Sequence, residues 1–122
     1  MPVYHIGLVL RQRAMQFNNY QLTANTALFK LKKGVDPAKV ERWQMLAEGM
    51  VGQIPGLLDL RTAPPLEMTV KLSKGYDMAV VVLLDYVESL ATFFTHHAHD
   101  EVNALYEEVC DKEYTLGYDI EF

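Results

Sequence analysis

Three of the four histidines fall within His96-His97-Ala98-His99-Asp100, directly after the aromatic pair Phe93-Phe94. Imidazole changes charge near neutral pH, so this stretch is the best suited to acid–base chemistry. At a helix start the backbone dipole disfavours a proton, which would keep His99 neutral and basic. Neutral imidazole removes a proton from the acidic carbon between two carbonyls. The enolate so formed needs a donor, and His96, Tyr76 and Tyr118 are the candidates. The cluster also has a purely structural reading, with His96 serving a helix C-terminus and His97 pointing to solvent. A metal site competes, because His96 and His99 are three residues apart and Asp100 is adjacent. Zinc needs a third or fourth ligand at recognisable spacing, and no second Cys/His cluster exists, so neither metal nor cofactor is expected.

The elements that position these residues are readable on either side. Asn25–Lys32 alternates as a strand and Gly34 ends it. Asp36-Pro37 starts a helix, with a capping side chain and then proline at the first helical position. Val40, Trp43, Ala47, Met50 and Val51 give that helix an apolar stripe over about four turns. Leu57–Thr62 reads as a strand, and Pro64-Pro65 opens a connection to Gly75 with a short extended piece at Met68–Leu72. Tyr76–Leu84 is a strand apolar on both faces, which demands cover on both. Two helices follow, Val87–Thr95 burying Val87, Leu90, Ala91 and Phe94, and Asp100–Asp111 burying Val102, Leu105, Tyr106, Val109 and Cys110. The histidine cluster is the corner between them. A final strand alternates Tyr114, Leu116, Tyr118, Ile120 and Phe122 against polar or small residues.

This order predicts an α+β, ferredoxin-like fold, an antiparallel four-stranded sheet with helices on one face. The uncovered face predicts a homodimer, two sheets closing a barrel face to face. At 122 residues the chain is one domain. Its net charge of −5 disfavours nucleic acid and anionic lipid as partners, and no segment is long enough to span a bilayer. Residues 1–35 hold Arg11, Arg13, Lys30, Lys32 and Lys33 and no acid. That bias raises a transit peptide, but only two arginines fall in the first twenty residues and no secretory signal is formed, so the cytoplasm is expected. The single Cys110 excludes an internal disulfide and reads as a buried inert thiol.

Four successive stretches carry a family resemblance: Phe29-Lys30-Leu31-Lys32-Lys33-Gly34-Val35-Asp36-Pro37, Ile54-Pro55-Gly56-Leu57, Lys74-Gly75-Tyr76-Asp77-Met78-Ala79 and His96-His97-Ala98-His99. They resemble signatures of the stress-responsive dimeric α/β-barrel family, often called Dabb, over about residues 24–122. The resemblance implies a dimeric barrel with a pocket in each protomer, between sheet and helices. A plant branch comprises metal-independent polyketide cyclases of the olivetolic acid type, which close a poly-β-ketone by aldol condensation. Their motif is His-Pro-x-His, and the last histidine acts with a tyrosine three residues before the first. Carried over, these histidines are His99 and His96, while Phe93 replaces the tyrosine and His97 the proline. The family's first-strand histidine aligns with Asn25. Val3-Tyr4-His5-Ile6 resembles the family's opening, which puts His5 among the catalytic candidates and marks 7–26 as an insertion or atypical N-terminal arm.

The expected activity is therefore binding of a small apolar or polyketide-like ligand, with cyclisation or a related proton transfer by His99. Phe93, Trp43, Met78, Val80 and Tyr76 would contact that ligand. The alternative is a non-catalytic stress-associated barrel that sequesters it. A cofactor-free monooxygenase shares the architecture without separate support.

Overall fold

The period-two alternation after residue 22 becomes the first strand. In the computed structural model, which describes residues 21–122, β1 runs Thr23–Phe29. Helix α1 follows at Pro37–Glu48, then β2 at Leu57–Ala63, β3 at Met78–Leu84, α2 at Ser89–Thr95, α3 at Asp100–Val109 and β4 at Leu116–Glu121. The four strands form an antiparallel sheet in the order β2-β3-β1-β4. This is the expected ferredoxin-like α+β fold.

Cross-strand partners in an antiparallel pair share a face of the sheet. Phe29 stands opposite Met78, Ala27 opposite Val80 and Asn25 opposite Val82, and these residues face the helices. The apolar ones join Val40, Trp43 and Ala47 of α1, Phe93 of α2, and Val102, Leu105 and Val109 of α3 in one core. Leu28 opposite Ala79 and Thr26 opposite Val81 belong to the other face, as do Leu116 and Tyr118 of β4.

Helix α1 starts where Asp36 and Pro37 indicate, with the Asp36 carboxylate accepting from the Ala38 N–H at 2.9 Å. Its far end is tied to β2: Glu48 Oε2 accepts from the Thr62 N–H and hydroxyl, and Gln44 donates to the same hydroxyl. These bonds hold Trp43 against the sheet. Gly56, at φ +87°, turns the chain into β2 within reach of Asp85 and Ser89, just ahead of α2.

Several local expectations are corrected. Glu67–Ser73 is a 3₁₀ helix rather than an extended piece, with Met68, Val70 and Leu72 exposed. In α2, which starts at Ser89, the buried residue is Phe93, whereas Ala91 and the preceding Val87 are exposed and Phe94 is 50 % exposed. A helix of only seven residues presents one narrow face to the sheet. Val51 lies beyond the end of α1 and is exposed. Of the stretch 7–26, Thr23–Thr26 stand inside β1, paired with both β3 and β4, while residues 7–20 and His5 lie outside the described residues.

Candidate functional site

The corner after α2 is built by backbone bonds that then aim one imidazole inward. The His96 N–H closes α2 on the Thr92 carbonyl, and its own carbonyl receives the His99 N–H, both at 2.9 Å. His96 Nδ1 accepts from the Ala98 N–H at 3.0 Å, and its ring stacks on His97 with centroids 4.3 Å apart. His96 is thus a capping residue, and it does not line the cavity described next. A tight 3₁₀ turn, His97–His99, delivers the chain into α3 with His99 at its N-terminal boundary.

Between sheet and helices lies a cavity of about 230 Å³. Its walls are mostly hydrocarbon: Phe29, Val80 and Val82 from the sheet, Trp43, Ala47 and Met50 from α1 and the residues after it, Phe93 and Phe94 from α2. An apolar cavity of roughly 150 Å³ already admits benzene, so a substituted single ring is the matching size. His99, Asn103, Tyr106, Thr115 and Asn25 supply the polar groups. The Tyr106 and Thr115 hydroxyls share a bond of 2.7 Å, and Asn25 donates to Asp119.

The His99 ring lies edge-on to Phe93 with centroids 4.8 Å apart, and 6.0 Å from Phe94. Burial among these rings disfavours the imidazolium and lowers the His99 pKa below 6.5. Hydrogen bonding at its own backbone and to Asn103, and the nearby Asp100 charge, only partly oppose this. His99 Nδ1 itself has no hydrogen-bond partner among the described residues. An unpaired buried nitrogen costs about 1–3 kcal/mol, so its position calls for an explanation beyond packing.

The expected site residues divide between two places. Trp43, Val80, Phe93 and His99 meet at the cavity wall. Tyr76 instead borders a depression of about 560 Å³ on the opposite sheet face, beneath the connection after Pro64, while Met78 is buried in the core beneath the helices and does not line the cavity. Tyr76 also stands beside Lys30, whose ammonium lies 5.1 Å from the ring centroid. Tyr118 is 74 % exposed on β4, away from His99's cavity. The sequence reading left out Phe94, Asn103 and Tyr106 as wall residues. Asn103 was findable, since it lies four residues beyond His99 and such pairs share a helix face. Among the described residues, no three His, Cys, Asp or Glu side chains gather as a metal site, and no helix is long and apolar enough to cross a membrane.

Comparison with known proteins agrees with this fold. The sequence profile of the stress responsive A/B barrel domain (Dabb) matches residues 24–120. No curated protein matches the chain. The fold is similar to that of a dimeric ferredoxin-like protein of unknown function from Bacteroides fragilis, with a TM-score of 0.69 at 16 % identity over 84 % of this chain and 99 % of that one. An Arabidopsis thaliana protein superposes with a TM-score of 0.70 at 22 % identity, covering 80 % and 92 % of the two chains. The hydroxynitrile lyase of Passiflora edulis does so with a TM-score of 0.72 at 11 % identity, covering 84 % and 94 %. A profile match spanning most of the chain, on a sheet of the matching topology, places this protein in the stress responsive A/B barrel domain family.

Proposed function

We propose that the protein binds a small, largely apolar unsaturated molecule in the cavity between sheet and helices, and that His99 acts there as a general base. The observation carrying this reading is the position of His99: a half-buried imidazole with lowered pKa, in the wall of an otherwise hydrocarbon cavity. A base held neutral at physiological pH, facing an apolar space, suits proton abstraction from a carbon acid such as a β-diketone or poly-β-ketone. The protein functions as a homodimer through the open sheet face, as several of its structural neighbours are dimeric. Among those neighbours the Passiflora protein is a lyase, so the scaffold accommodates catalysis.

Hydrogen–deuterium exchange at the carbon between the two carbonyls of benzoylacetone tests the base directly. General-base catalysis contributes roughly 10²–10⁴-fold, so His99→Ala lowers the catalysed exchange by that order while binding of benzoylacetone survives. Unchanged exchange in the variant removes His99 from the chemistry. One observation favours a second reading, sequestration without turnover: Phe93 supplies no hydroxyl beside His99 to stabilise an enolate. Tight binding with no exchange above the solvent rate in the unaltered protein selects that reading.

A further inference from the structure

Two buried side-chain polar atoms have no hydrogen-bond partner among the described residues, Trp43 Nε1 and His99 Nδ1, and both belong to residues that line the cavity. Trp43 is the more telling. It is 2 % exposed, and its ring is fixed edge-on to Phe29 with centroids 5.1 Å apart. Buried N–H groups are almost always paired, and each exception calls for an explanation. None of the cavity's polar groups is bonded to Trp43 Nε1: the Asn25 amide donates to Asp119, and the Tyr106 and Thr115 hydroxyls bond each other.

Indole N–H is a donor only, so whatever satisfies Trp43 must bring an acceptor. The surrounding walls are hydrocarbon and aromatic, so the rest of that molecule must be apolar and of single-ring size. A lone water accepts equally well but needs two to four polar partners to be held. We infer that Trp43 is the specificity-determining residue of the cavity, donating its indole N–H to the carbonyl oxygen of a small aryl ketone. This rests on the cavity being the ligand site proposed above.

Acetophenone and α-methylstyrene are matched probes, the second having CH₂ in place of the carbonyl oxygen. Trp43 is the single tryptophan, so a ¹⁵N-labelled sample gives one indole N–H resonance. Acetophenone is expected to bind about three- to tenfold more tightly than α-methylstyrene. It alone moves the indole proton downfield, and Trp43→Phe removes the preference while keeping an aromatic wall. Equal affinities with equal indole shifts overturn the assignment to Trp43, marking a water as its partner, and leave the cavity as a binding site. Failure of both probes to bind overturns the assignment together with the reading beneath it. The resonance is read on the unaltered protein, so the outcome stands even if Trp43→Phe does not fold.

Discussion

His99 and His96 show how far residue type alone leads. Both are histidines in one five-residue stretch, yet His96 spends its Nδ1 on a backbone N–H and His99 leaves its Nδ1 unpaired in the cavity wall. That division depends on the 3₁₀ turn between them, which spacing does not announce. The pH behaviour follows from the direction of the His99 shift. Its folded pKa lies below 6.5, so below that pH the unfolded chain binds the proton more readily. The stabilising contribution of neutral His99 is therefore present above pH 6.5 and is lost as pH falls through the folded value. Chemical denaturation between pH 5 and pH 7.5 should show a stability loss on acidification that is reduced in His99→Asn. An NMR titration of its ring protons should place the midpoint under 6.5. Cys110 is the opposite case, with burial first and the Asp77 charge second raising its thiol to about 12. Its burial was legible from helical spacing, and Ellman's reagent should react with it only after unfolding.

At the scale of elements, local chemistry was the better guide where it acts through the backbone. Asp36-Pro37 gave the start of α1 because a cap and a preset φ need no tertiary context. Replacing Asp36 by alanine should cost about 1 kcal/mol in urea denaturation, the usual loss for a missing N-cap. The 3₁₀ segment at Glu67–Ser73 was not legible, since its alternating Met68, Val70 and Leu72 mimic a strand. Likewise the inward choice of Phe93 over Phe94 is set by how α2 leaves the Gly56–Asp85 corner. Gly56 is central to that corner: a Cβ there would meet Ser89 Oγ at 2.5 Å and Asp85 Oδ1 at 2.7 Å, in a left-handed backbone. Gly56→Ala should destabilise the fold by about 1–3 kcal/mol or more, read by thermal unfolding. It should also displace α2, weakening ligand binding more than Asp36→Ala does.

For the whole molecule, the two-faced apolarity of β3 led to both the helical layer and the open face. The first is seen directly. The second is an apolar expanse, carrying Leu28 and Val81 beside the exposed Leu116, Tyr118, Ile120 and Phe122. Surfaces of this kind mark association sites. In the proposed homodimer each such residue meets its counterpart's sheet, so a charge is brought in twice. Ile120→Asp should convert the protein to a monomer in size-exclusion chromatography with light scattering, leaving circular dichroism largely unchanged. A dimer surviving that substitution would place the contact elsewhere.

Leu116 borders both the cavity between sheet and helices and the depression on the open face. It sits on β4, whose residues are all exposed and which, among the described residues, is an edge strand paired only with β1. If the proposed ligand binding and dimerisation both hold, one strand serves two equilibria, and any coupling between them is reciprocal. With positive coupling, ligand affinity would become a function of protein concentration, rising as monomers give way to pairs. A cell that accumulates this chain would then gain capture capacity faster than it gains protein.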